Sequence, residues 1–408
     1  MPDTGSAIEL ERRPGASISN QLTPPEAQVP DGGYGWVVVF ACAVLTWWFV
    51  GTTYSWGIIQ AALVKQGLSS ASTLSFVGSS TVACISGLAI VNARVIRFWI
   101  LSGFATLNIG ALFFTTGAIT GIGTRFVVSV TPAQYFSKRR GLANGIVYAG
   151  GGLGGAVTSF AIDGLIQALG PPWTFRIVGL MTLATGLPAA WLIKERTPIR
   201  TTGFIEWSLF RDLRFVVLFF AGALGTFPLF VPPFFLPLYS ASLGLSPSAG
   251  AGLVAGFNLA SALGRLGCGF ASDVIGPVTV LCLALLLNGI SMLAIWPVST
   301  SLGPLILFVS VNGLANGGFF STMPTVVHAV FGSARVSVAM GMIVTGWVGG
   351  YLMGAPIAGY LLNAYGGAES TLSAYHPAMF YAGSMAMGAA GLVSLVRLKT
   401  STSIFAKV

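Results

Sequence analysis

One pattern governs this chain: an apolar stretch long enough to cross a bilayer, then a short polar gap, then the next stretch. The pattern starts at Gly35 and recurs to Arg397. Stretches are read at 35–60, 74–95, 98–116, 118–135, 141–166, 174–193, 214–239, 249–270, 277–296, 304–329, 337–362 and 377–396. A transmembrane helix needs about 20 apolar residues, so roughly twelve spans take about 240 residues and leave room for short loops. Charge is too scarce for any other fold. Only 8% of the 408 residues are charged and 54% are hydrophobic, whereas soluble proteins are about one-quarter charged. A mean hydropathy of +0.82 spreads that excess along the whole chain. A soluble enzyme, a disordered protein and a single-span receptor are excluded. The expected fold class is all-α and integral to the membrane, with the lipid bilayer as its first partner.

The charges sort between alternate gaps. On the side of the N-terminal tail lie Arg94 and Arg97, then Lys138, Arg139 and Arg140, then Lys194, Arg196, Arg200, Arg211 and Arg214. Arg335 follows on that side, and Arg397, Lys399 and Lys407 end it. The opposite gaps hold little beyond Lys65, Arg176 and Glu369. By the positive-inside rule both termini are cytosolic and the number of spans is even. The net charge of +9 then belongs to cytosolic loops, and no nucleic-acid partner is expected. Residues 1–30 and 398–408 read as cytosolic tails, the first disordered. It has no apolar core of the signal-peptide kind. The plasma membrane is the expected location, with the vacuole or another endomembrane as the alternative.

Between Arg97 and Lys138 there is space for two crossings only if both are short. A single crossing would put the Lys138-Arg139-Arg140 cluster outside, against the charge rule. Two short spans and a missing exon both remain open here. Residues 194–213 form the longest polar gap. Glu206, Trp207, Phe210, Arg211 and Asp212 suggest a basic, amphipathic interfacial helix within it. The gap divides the chain into six-span halves at 31–193 and 214–397. Ala143, Gly145, Gly150 and Gly154 recur as Ala339, Gly341, Gly346 and Gly350, at the start of the fifth span of each half. Two parallel six-span halves resemble the arrangement of the major facilitator superfamily.

Three further stretches narrow that resemblance. Asp31-Gly32-Gly33-Tyr34-Gly35-Trp36 is similar to the first-span signature of monocarboxylate porters. Tyr135-Phe136-Ser137-Lys138-Arg139-Arg140-Gly141-Leu142-Ala143-Asn144-Gly145, continuing to Gly150 and Gly154, resembles their fifth-span signature. Phe210-Arg211-Asp212-Leu213-Arg214-Phe215 is similar to fungal members in particular. The resemblance implies twelve helices and transport by alternating access. On their own chemistry these residues read as structural or gating. Asp31 precedes a helix N-terminus that favours a carboxylate, and Trp36 lies where an interfacial aromatic is expected. Gly150-Gly151-Gly152-Leu153-Gly154-Gly155 formally fits G-x-G-x-x-G, but it lacks the strand before it and the acid after it. Close helix packing is the expected role.

Arg265 is the cation that stands out inside a span. Asn258, Ser261 and Arg265 fall on one helical face, and a guanidinium in hydrocarbon must meet a cavity or a partner. One reading has it hold a carboxylate through its two-pronged geometry, and the resemblance implies the same for a span-eight arginine. The other pairs it with Asp273 near the cytosolic end. Arg125, in Gly121-Ile122-Gly123-Thr124-Arg125, is either a second anion contact or a cation snorkelling to a headgroup. Tyr54, Trp56, Asn144 and Tyr148 complete the candidate cavity. Span one lacks the lysine of animal relatives, Asn258 and Ser261 are neutral, and Asp163 is read as peripheral. Weak or absent proton coupling follows, with His328 or the substrate's own carboxyl group as the rival carrier.

Cys42, Cys84, Cys268 and Cys282 stand singly, and His328 and His376 are the only histidines. No metal, disulfide or cofactor is expected. The reading is a secondary transporter, not an enzyme, for a small organic acid or weakly acidic secondary metabolite, with efflux as one direction and the sequence fixing neither. A nutrient importer working as a proton symporter is the first alternative. A non-transporting sensor or a truncated inactive homologue is the second. An ancillary membrane subunit is left open as a partner.

Overall fold

The computed structural model describes residues 32–87, 135–136, 140–194, 206–332, 335–368 and 371–400. Spans three and four apart from Tyr135, Arg125, Asp31, Lys138, Arg139, the N-terminal tail and residues 401–408 lie outside these residues. So does the choice between two short spans and a missing exon.

Every regular element among the described residues is helical. Span one runs Tyr34–Tyr54, turns at Ser55 and continues as Trp56–Lys65. Span two starts at Ala71 and is described to Gly87. Spans five and six form one run, Arg140–Leu192, broken where Gly170 takes φ 76°. That backbone is open to glycine at little cost, and Pro171 and Pro172 then restart the helix at positions that need no N–H. The apolar run Gly145–Leu192 has 48 residues, about 72 Å at 1.5 Å per residue, enough for two crossings.

Span seven is also broken, into Leu213–Thr226 and Val231–Ser242. Pro232 and Pro233 sit in the first turn of the second piece, where a missing N–H leaves nothing unpaired. Spans eight, ten, eleven and twelve are Pro247–Ile275, Leu302–Phe331, Val336–Ala364 and His376–Thr400. Span nine is Pro277–Ile290 followed by a π-helical turn at Ser291–Ile295. The expected spans seven to twelve thus each correspond to a helix, but spans one and seven are interrupted where single helices were expected.

Glycines bring the helices together. A Cβ on Gly150 would lie 3.0 Å from Ala43 Cβ, and one on Gly154 would lie 2.6 Å from Trp47 Cγ, so span five seats directly on span one. The corresponding glycines of span eleven meet span seven: Gly346 lies against Phe219 and Gly350 against Thr226. The two signature stretches also touch. Gly35 abuts Tyr135, and the Trp36 ring meets Phe136 edge-on at 4.8 Å.

The linker holds a short 3-10 helix, Trp207–Arg211, with Leu209 buried and Trp207 72% exposed. Glu206 pairs with Arg335 at 3.5 Å. Asp212 caps span seven, its Oδ1 accepting from the Arg214 amide at 2.9 Å, which satisfies one of the open amides of the first turn. The hydrogen bond from the Arg214 side chain holds the Asp212 carboxyl below its ordinary pKa.

Candidate functional site

The site is built where span eight passes between spans five and ten. Small residues let the three approach. Gly152 lies against Ala262 and Gly155 against Asn258. On the other side Gly264 lies against the Leu314 carbonyl, and Gly317 against Ser261 O. Between these contacts the face of Asn258, Ser261 and Arg265 looks into the seam.

Arg265 is 7% exposed, and Asn258 and Ser261 are each 1% exposed. The guanidinium donates from Nη1 to the Tyr148 carbonyl at 3.0 Å and lies over the Phe320 ring at 5.5 Å. It makes no ion pair among the described residues. Pairing with Asp273 is not formed, for a geometric reason: eight residues along one helix is about 12 Å of rise. Three buried polar atoms on this face have no hydrogen-bond partner: Arg265 Nε, Asn258 Nδ2 and Ser261 Oγ. Buried polar groups are ordinarily matched, and here three unmatched atoms fall on one face of one helix.

Tyr54 stands next to this face. Its ring stacks on Phe257 at 5.9 Å, and its hydroxyl donates to Asn316 Oδ1 at 3.1 Å. Asn316 Nδ2 in turn donates to the Leu229 carbonyl, freed by the break in span seven, at 3.0 Å. One buried asparagine therefore joins the interruption of span one to that of span seven. Tyr148 enters through its carbonyl. Trp56 is turned away onto span two, where its indole donates to the Leu74 carbonyl at 2.9 Å and packs on Gly78. The Asn144 side chain and Arg125 lie outside what is described. Asn316 and Phe320 were missed by the sequence reading, although two asparagines four residues apart in an apolar span were a visible signal.

Contacts between the first six spans and the last six run along the whole seam of spans five and eight, from Gly145 against Leu266 to Gln167 against Ser248, and further ones lie at the end where odd-numbered spans finish and even-numbered ones begin. Gly57 lies on the Pro233 carbonyl. Asn363 donates to Ser72 Oγ at 3.0 Å. Gln167 bridges Asp163 Oδ2 at 2.8 Å and Ser248 Oγ at 3.1 Å. Asp163, read from sequence as peripheral, is buried at this seam with 7% exposure.

Comparison with known proteins agrees with this architecture. The model of the Major Facilitator Superfamily matches residues 36–264 and 218–404. The chain is 30% identical over 402 residues to the aspyridones efflux protein of Emericella nidulans, covering 91% of this chain and 81% of that one. It is 26% identical over 392 residues to monocarboxylate transporter 4 of Gallus gallus, covering 83% and 79%. Among solved structures, a bacterial homologue of the human lysosomal transporter Spinster, in an inward-facing and unoccupied conformation, superposes with a TM-score of 0.62. That match has 16% identity and covers 90% of this chain and 98% of that one.

Proposed function

The chain belongs to the Major Facilitator Superfamily, and from that premise we propose that it exports a weakly acidic metabolite by alternating access. It is a multi-pass membrane transporter. The observation that carries the reading is the buried face of span eight. Arg265 has no counter-charge among the described residues and has a free Nε. A cation held this way in low dielectric is matched by a ligand that brings the anion. The likeness to a fungal efflux protein supports export.

In this reading the termini are cytosolic and the protein sits in the plasma membrane, so the end sealed by Gly57, Ser72 and Gln167 faces outward. Opening it separates Tyr54 from Asn316 and Asn363 from Ser72, and exposes the substrate to the outside. The two halves rock about the site as in other facilitators. Tags at residues 205 and 300 test the orientation. In intact cells only the second should meet antibody, and an accessible tag at 205 overturns it.

The likeness to a monocarboxylate transporter supports a rival substrate, a small monocarboxylic acid, and the second reading is its import as a nutrient. Yeast cells expressing the protein and loaded with a labelled long-chain keto acid or lactate separate the two. Export predicts faster keto-acid loss than in vector controls, abolished by Arg265→Ala at equal membrane abundance. Increased lactate uptake with unchanged keto-acid loss favours the importer.

A further inference from the structure

The unmatched atoms of span eight are spread along the helix. Asn258 and Arg265 are seven residues apart, about 10 Å along the axis, with Ser261 between them. The facing helix repeats the interval, because Asn258 lies against Gly155 and Arg265 against the Tyr148 carbonyl. Arg265 Nε and Asn258 Nδ2 are both donors, so neither can satisfy the other. Ser261 Oγ can give or accept. Each unmatched group in a dry seam costs free energy that a suitable acceptor restores.

We propose that span eight selects its substrate by length: an elongated acid with an ionised oxygen at Arg265 and a second acceptor oxygen about 10 Å away at Asn258. Ser261 supports the middle of such a ligand. A two- or three-carbon monocarboxylate reaches Arg265 and leaves Asn258 unmatched, and sites built to bind an oxygen reject analogues that lack it there. The proposal rests on the reading that Arg265 holds the anion.

Two isomeric straight-chain keto acids of equal length test it, because they bury the same apolar surface. One carries its ketone near the carboxylate; the other carries it about 10 Å away. Each is titrated by calorimetry into the purified full-length protein. The far-ketone isomer should bind about tenfold tighter, the worth of one buried hydrogen bond. Asn258→Ala should erase the difference by weakening only that isomer, and Arg265→Gln should weaken both. Equal affinities for the unaltered protein, no binding of the far-ketone isomer, or equal weakening of both isomers in Asn258→Ala each overturn the proposal. The first two need no variant to fold. If the isomers bind alike while Arg265→Gln still weakens both, length selection fails and the anion site stands. If Arg265→Gln changes neither, the anion site fails as well.

Discussion

Two polar clusters lie buried in the last six spans, and they are built differently. Between spans nine and ten, Asn312 Nδ2 donates to Asn288 Oδ1 at 3.0 Å and to Ser291 Oγ at 2.8 Å, while Ser291 donates to the Asn288 carbonyl at 2.7 Å. The atoms left over on its two asparagines are one donor, Asn288 Nδ2, and one acceptor, Asn312 Oδ1. Span eight has two leftover donors at its ends and no bond among Asn258, Ser261 and Arg265. The first cluster bonds within itself inside one half of the molecule, with one donor and one acceptor left over. The second lies on the seam between halves with no bond among its members, and in the proposed reading the substrate supplies the acceptor. Burial of polar groups is common to both, and what differs is whether the members bond to one another.

Substitutions can break that distinction. The largest effect is expected at Arg265: Arg265→Ala should lose about 2 kcal/mol of anion binding, roughly thirtyfold in flux at limiting substrate, with abundance unchanged. Arg265→Lys should recover part, because an ammonium lacks the planar fork. Asn312→Leu should do the opposite, leaving flux per molecule intact and lowering thermal stability by about 1 kcal/mol. If Asn312→Leu stops transport while the fold survives, the contrast between the clusters is wrong. Tyr54→Phe removes one hydrogen bond across the seam. It should shift the population toward the open end by about 1 kcal/mol or slightly less, roughly fivefold. Longer distances between spin labels at Gln66 and Leu245 would report this, and an unchanged distribution would show that the bond does not hold the seam.

The smallest effect calibrates the others from outside the seam. Asp212→Asn keeps a capping oxygen and loses an exposed ion pair, costing about 0.5 kcal/mol. Because its folded-state pKa is lowered by Arg214, the carboxylate stabilises above its unfolded-state value. That contribution is lost as pH falls through the folded-state value. Melting curves of the two proteins should therefore converge in acid.

Most of the architecture was legible because a bilayer imposes length and polarity on every span. The face of Asn258, Ser261 and Arg265 was legible for a related reason, since polar groups in hydrocarbon need a purpose and helical spacing aligns them. The interruptions were harder. Ser55 carries no breaker signal in sequence, and its turn is held by a hydroxyl contact to Ser159 at 2.9 Å, a partner 104 residues away. Span seven gave more warning in Pro228, Pro232 and Pro233, but hydropathy averages over such breaks. Trp56 was drawn into the cavity set by residue type alone. Its true direction depends on Leu74 and Gly78, which only tertiary packing brings near. Asp163 was similarly misread as peripheral, because burial at a seam depends on both sides of it.

The shelter of Arg265 also bears on how the protein is made. A lone arginine at the middle of an emerging helix opposes insertion by about 2.5–3.5 kcal/mol. The carbonyl that receives it belongs to Tyr148 in span five, which is synthesised well before span eight leaves the ribosome. The first half thus offers a docking place to a segment that the bilayer alone would hold poorly. Chain order becomes part of the biogenesis: a second half produced by itself would present this guanidinium to lipid, and cellular quality control would meet a bundle whose eighth helix is poorly retained.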